Sequence, residues 1–119
     1  MSYEFYKIVH FSGIFALIMG VCGMIFSKAY DVKDPGTKKL FGILHGLGLL
    51  VALVGGFGLI AKLQSGFPAW IFLKLVFWLG LGLLPILGKF LQARVTFTLG
   101  ILLAIGAATV AVIKPLAGA

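Results

Sequence analysis

Residues 40–61 read LFGILHGLGLLVALVGGFGLIA, a run of 22 residues that contains no charged side chain. Three further runs of similar length are apolar and nearly free of charge: Ile8–Ser27, Phe67–Gly88 and Val95–Ile113. A helix that crosses the hydrocarbon core of a bilayer needs about 17–25 mostly apolar residues. The four runs therefore predict an all-α membrane protein with four transmembrane helices.

The composition points the same way. The 119 residues are 61% hydrophobic and 11% charged, whereas a soluble domain averages about 45–50% apolar and roughly 25% charged residues. These proportions exclude a disordered chain, and the single cysteine excludes a domain held together by disulfides. We expect one domain over residues 1–119, an up-down bundle with short connections and spans near residues 4–29, 38–63, 68–88 and 93–114.

The net charge of +7 comes from basic residues that are scattered singly or in pairs between the apolar runs. This distribution is typical of residues that set membrane topology, and we expect no nucleic-acid partner. Residues 28–39 carry four lysines and residues 89–94 add Lys89 and Arg94. The opposite side has three basic residues: Lys7, Lys62 and Lys114. The excess predicts that both of these loops are cytoplasmic and that both termini lie outside.

Small residues and turn residues predict local features. Gly42 and Gly46 form a GxxxG pair, and Gly100, Ala104 and Ala108 form small-xxx-small steps in the fourth span. Such steps favour close helix packing, including a homodimer, and the glycines also leave room for a flat macrocycle. Six further residues predict helix ends or kinks: the turn Asp34-Pro35-Gly36 precedes a possible cap at Thr37, Pro68 opens the third span, and Pro85 kinks it.

Three ionisable residues lie inside the apolar runs, where such groups usually face the bundle interior or a cavity: His10, His45 and Lys74. With 1.5 Å of rise per residue, His10 and Lys74 each lie roughly 9 Å from the starts of the first and third spans. Both of these spans run inward from the same face, so the two side chains are expected at one level. His45 is expected on the order of 10 Å from that level, which favours a structural role over a shared metal ion.

Each of these residues has two interpretations. Trp70, Lys74 and Trp78 form a W-x3-K-x3-W stripe, in which the lysine either extends outward to the headgroups or turns inward to an anionic or metal-bearing ligand. His10 either bonds a neighbouring carbonyl or Ser12, or binds iron, copper or zinc through its imidazole. Three sulfur-bearing residues in the first span give a weaker hint of copper: Met19, Cys22 and Met24.

Three stretches carry a resemblance to a known family. They resemble the first three spans of the HemJ-type protoporphyrinogen oxidases and their CopD- and SirB-like relatives. In chain order they read YKIVHFSGIFALIMG, KKLFGILHGLGLLVALVGGFGLI and WIFLKLVFWLGLGLLPI. The resemblance covers roughly residues 4–90. It implies a b-type haem, with His10 and Lys74 at the positions of a first-span histidine and a third-span lysine. It implies haem binding more strongly than the oxidase activity, because the chain lacks the further helix of those enzymes.

The leading hypothesis is therefore a multi-pass protein of a bacterial inner (plasma) membrane that binds haem b or a related tetrapyrrole between spans one and three. His10 is the expected axial ligand, and Lys74 a second ligand or the partner of a propionate. Trp70 and Trp78 are expected to line the site. The alternatives are a packing subunit without cofactor or activity, and a copper transport or resistance protein.

Overall fold

A computed structural model describes residues 2–63 and 69–113, and 90% of that part of the chain is helical, with no strand. Four helices follow in order: α1 (Tyr3–Ala29), α2 (Pro35–Leu63), α3 (Ala69–Leu87) and α4 (Ala93–Ile113). Each is long and apolar enough to cross a membrane. The predicted all-α fold with four spans is confirmed.

The surfaces of the helices indicate what surrounds them. In the most apolar stretch of each helix, no more than 22% of the residues are buried within the protein. Large apolar side chains such as Phe15, Val76 and Val112 are largely exposed. A helix that is apolar on all sides requires an apolar environment, and a bilayer supplies it. The chain is therefore a multi-pass membrane protein.

The start of α2 differs from the prediction. The helix begins at Pro35, three residues before the expected start near residue 38. Asp34 is the cap, because its carboxylate accepts hydrogen bonds from the Thr37 backbone N–H at 3.2 Å and from the Thr37 hydroxyl. The prediction that Thr37 caps the helix is wrong: Thr37 is the donor inside the first turn. Proline at the first helical position is well tolerated, since its missing N–H has no helical partner there.

The other helix ends lie close to the predicted ones. The N-terminus of α1 is capped by Ser2, whose hydroxyl accepts from the Phe5 backbone N–H at 3.1 Å. The helix α3 continues through Pro85 and ends two residues later, at Leu87. The predicted role of Pro68 lies outside the described residues.

The chain divides into two compact units, Met1–Gly66 and Phe67–Ala119. In the first, Tyr6 approaches Gly58 and Leu17 approaches Gly48, so α1 and α2 run antiparallel. In the second, α3 and α4 run antiparallel: Phe77 approaches Gly106, Leu84 approaches Gly100, and Gly88 approaches Thr96. Each unit is thus a helical hairpin, and the predicted single domain stays a prediction.

Candidate functional site

Four glycines bring the backbones of α1 and α2 into direct contact. A Cβ atom added to Gly13, Gly20, Gly48 or Gly55 would collide with backbone atoms of the opposite helix. The collisions pair these glycines with Ala52, His45, Leu17 and His10, respectively. Small residues at a helix interface allow such close approach, and van der Waals contact then holds the pair together in lipid. We call this contact line the glycine seam.

The glycine seam follows a spacing of seven residues. Gly13 and Gly20 are seven apart on α1, and Gly48 and Gly55 are seven apart on α2. A seven-residue repeat keeps one face of a helix against an antiparallel neighbour. The sequence prediction emphasised the GxxxG pair instead, and missed Gly13 and Gly20. Within the first hairpin, Gly42 and Gly46 have no described atom within 4 Å of an added Cβ, so they do not form the contact with α1.

His10 lies on the glycine seam with its ring directed at α2. Its Nδ1 is 2.7 Å from the backbone oxygen of Ala52. A carbonyl oxygen only accepts hydrogen bonds, so Nδ1 carries the proton, and in the neutral ring the lone pair is on Nε2. A Cβ added to Gly56 would lie 3.3 Å from both the Nδ1 and the Cε1 of His10. The glycine backbone of α2 therefore makes room for the imidazole and orients it.

This hydrogen bond has two possible roles. Histidines that ligate metals usually donate their other N–H to a carbonyl or carboxylate, which fixes the tautomer and the ring orientation. The same bond also satisfies a polar group that packs between apolar helices. The contact between His10 and the Ala52 oxygen is therefore the one expected of a structural histidine. The same contact leaves the lone pair on Nε2, which is the tautomer that a metal ligand needs.

His45 occupies a different level of the same seam. Its backbone packs against Gly20, whereas His10 packs against Gly55. These positions are ten residues apart along each helix, which corresponds to about 15 Å. The register of the hairpin therefore disfavours one metal ion held by both imidazoles, in line with the depths estimated from the sequence.

Lys74, Trp70 and Trp78 form a half-buried stripe on α3. The Lys74 ammonium lies 5.9 Å from the centroid of the Trp70 ring, a distance at which a cation is attracted to the ring face. The side chain thus points back toward the N-terminal end of α3, as expected for a lysine that extends toward the headgroups. His10 belongs to the first hairpin and Lys74 to the second, so their meeting around one ligand stays a prediction.

The other candidate metal ligands give weaker support for a metal site. Within residues 2–63 and 69–113, no group of three or more His, Cys, Asp or Glu residues is placed to hold a metal ion. That finding does not bear on haem, whose iron needs only one or two axial ligands from the protein. Met19 is largely exposed, whereas Cys22 and Met24 are half-buried, so the three sulfur residues differ in environment. The copper hypothesis stays a prediction.

The threonines of α4 bond to the backbone of their own helix. The hydroxyls of Thr96, Thr98 and Thr109 each donate to the backbone oxygen four residues earlier, at 3.0, 2.8 and 2.8 Å. Each hydroxyl therefore has its hydrogen-bond partner on its own helix.

Comparison with known proteins adds no relative: no family model, curated protein or solved structure matches the chain.

Proposed function

We propose that this protein binds haem b, or a related tetrapyrrole, within the membrane and that Nε2 of His10 is an axial ligand of the iron. The hydrogen bond from Nδ1 of His10 to the Ala52 oxygen carries this proposal, because it selects the tautomer with its lone pair on Nε2. Histidine is a common axial ligand of haem. A bound haem would supply one-electron redox chemistry, to which the chain contributes the ligand and an apolar surrounding.

The stripe on α3 supplies the second part of the proposal. Haem propionates are anionic, and the Lys74 ammonium is a cation held beside a tryptophan ring. In this proposal Lys74 pairs with a propionate or serves as the second ligand, and Trp70 and Trp78 line the macrocycle. The resemblance to the HemJ-type family supports the same pair of residues and extends the proposal to tetrapyrrole oxidation in a bacterial inner membrane.

The orientation in the membrane is part of this proposal. The loop between α1 and α2 and the turn between α3 and α4 carry more basic residues than the other side. By the positive-inside rule, both connections are cytoplasmic and both termini are outside.

A visible absorption spectrum tests haem binding. The protein is expressed with added haem, purified in detergent and compared with His10→Ala and His45→Ala. We expect a Soret band in the wild type and in His45→Ala, and its loss in His10→Ala. A wild type without a Soret band, or a His10→Ala variant that keeps it unchanged while eluting as a folded protein, contradicts the proposal.

A second candidate is a packing subunit without cofactor, which the glycine seam favours because it accounts for the first hairpin by itself. Lys74→Leu separates the two functions. A packing subunit keeps or gains stability when an intramembrane charge is removed, whereas a haem protein loses part of its chromophore. Lys74→Arg is the matched control, since it keeps a cation for a propionate.

A further inference from the structure

A cavity of about 320 Å³ opens where α1 ends and α2 begins. Six residues line it, all from the first hairpin: Met24, Ser27, Lys28, Asp31, Lys38 and Phe41. Because α1 and α2 are membrane spans, the loop end of this hairpin lies where the helices leave the hydrocarbon. The cavity is therefore at the level of the lipid headgroups.

Ser27 is the unusual residue of this cavity. Its side chain is 5% exposed, and its hydroxyl oxygen has no hydrogen-bond partner among the described residues. A serine within a helix normally donates to the carbonyl four residues earlier, as the threonines of α4 do. A buried hydroxyl without a partner is costly. A ligand that accepts a hydrogen bond at this position would satisfy it.

The charges around the cavity select an anion. Lys28 and Lys38 line it from the two helices, and Asp31 lines it from the loop. The Asp31 carboxylate lies 3.8 Å from the Lys33 ammonium, and both groups are highly exposed. The lining thus contains two lysines and one aspartate, so positive charge exceeds negative charge where a ligand would enter.

The apolar part of the lining distinguishes a lipid from a small ion. Met24 and Phe41 also line the cavity, and both lie farther from the α1–α2 loop than Ser27 and Lys38. Phe41 also packs against Gly23. A free phosphate ion would contact only the hydroxyl and the lysines. An anionic phospholipid would place its phosphate there and its glycerol and acyl chains along Met24 and Phe41.

We propose that this cavity binds the phosphodiester headgroup of an anionic phospholipid. The Ser27 hydroxyl and the Lys28 and Lys38 ammonium groups donate to the phosphate oxygens, and Asp31 accepts from a headgroup hydroxyl such as that of phosphatidylglycerol. Clusters of basic residues next to a membrane helix are a known basis for recognition of anionic lipids. The proposal is independent of haem binding, because it concerns only the loop end of the first hairpin.

The test uses the full chain in detergent without haem. Phosphatidylglycerol, phosphatidylcholine and inorganic phosphate are each titrated, and binding is read by native mass spectrometry and by the rise in melting temperature. We expect phosphatidylglycerol to bind and to raise the melting temperature more than either other ligand. Equal effects of the two lipids, or an equal effect of inorganic phosphate, would overturn the proposal.

Two variants and a matched control locate the site. Lys38→Gln should weaken phosphatidylglycerol binding about fivefold, the effect expected for one basic residue near the headgroups. Lys39→Gln is the control, because Lys39 is the next residue and does not line the cavity. Ser27→Ala should keep or raise the melting temperature of the lipid-free protein, because it removes a buried hydroxyl without a partner, while reducing the rise caused by phosphatidylglycerol. Equal losses in Lys38→Gln and Lys39→Gln, or an unchanged rise in Ser27→Ala, would contradict the assignment.

Discussion

At the scale of single residues, the contact between His10 and α2 determines what the imidazole can bind. The Ala52 oxygen fixes the proton on Nδ1, and the absence of a side chain at Gly56 leaves space beside the ring. A histidine whose N–H were free to rotate would lose entropy on binding a metal, whereas this ring is already oriented. The seam thus prepares the imidazole even though it also buries part of it.

Gly56→Ala tests this orientation. The added Cβ would lie 3.3 Å from two ring atoms, so the imidazole must shift by a few tenths of an ångström. Crowding of this kind typically costs about 1–3 kcal/mol, and we expect haem affinity to fall by roughly fivefold or more in a titration. Gly46→Ala is the matched control, because its added Cβ has no described neighbour within 4 Å in the first hairpin. Equal affinities of the two variants would show that the ring position is not important.

At the scale of the helices, apolar length made the four spans predictable, since a backbone in lipid has few alternatives to a helix. Finer features were not predictable. Asp34 and Thr37 are both good capping residues, and only the hydrogen bonds show that Asp34 accepts. The seven-residue spacing of Gly13 and Gly20 and of Gly48 and Gly55 was visible in the sequence, but the four-residue GxxxG motif was given precedence. Ser27 carried no signal, because a helical serine is normally satisfied by its own helix.

Gly20→Ala tests the glycine seam. The new methyl group would collide with the His45 backbone, which cannot move without shifting α2. We expect the free energy of unfolding in detergent to fall by about 1–3 kcal/mol, measured by thermal or denaturant unfolding. Gly42→Ala, on the same hairpin but with no described neighbour, should be neutral or slightly stabilising because alanine favours a helix. A stable Gly20→Ala protein would mean that the helices do not meet at this line.

The cap of α2 predicts a pH dependence. Hydrogen bonds from the Thr37 hydroxyl and backbone hold the pKa of Asp34 below its ordinary value. The cap therefore stabilises the first turn of α2 above the ordinary aspartate pKa of about 3.9, and this contribution is lost as pH falls through the lowered pKa.

Hydrogen exchange of the first turn of α2 measures this effect. We expect faster exchange at Thr37 in Asp34→Ala at neutral pH. Asp34→Asn should retain much of the protection, since asparagine also caps helices, and should lack the change on acidification. Equal exchange in the wild type and Asp34→Ala would refute the role of the cap.

At the scale of the whole molecule, the arrangement of polar residues across two hairpins is the hardest feature to predict. Lipid chains are as apolar as leucine, so hydrophobic burial does not choose which helix faces meet. The sequence placed His10 and Lys74 at similar depths, but depth alone does not bring two side chains together. The register within each hairpin follows from glycines and is well defined, whereas the shared site is a proposal.

Topology is a prediction for the whole chain. Single cysteines are introduced at Glu4, Lys33 and Phe90 in a Cys22→Ala background, and intact cells are treated with a membrane-impermeant maleimide. All three positions are exposed. The positive-inside rule predicts labelling at position 4 only, with positions 33 and 90 labelled after lysis. Labelling of position 33 in intact cells would show that the orientation is the reverse of the predicted one.

The most direct test of the central claim is pulsed electron paramagnetic resonance on the ferric haem complex of protein labelled with ¹⁵N only in histidine. Because the haem nitrogens are unlabelled, a ¹⁵N hyperfine coupling reports a protein histidine on the iron. We predict a strong axial ¹⁵N coupling that disappears in His10→Ala and persists in His45→Ala. A complex without this coupling, or one whose coupling survives the loss of His10, would contradict the assignment of Nε2 of His10 as the ligand.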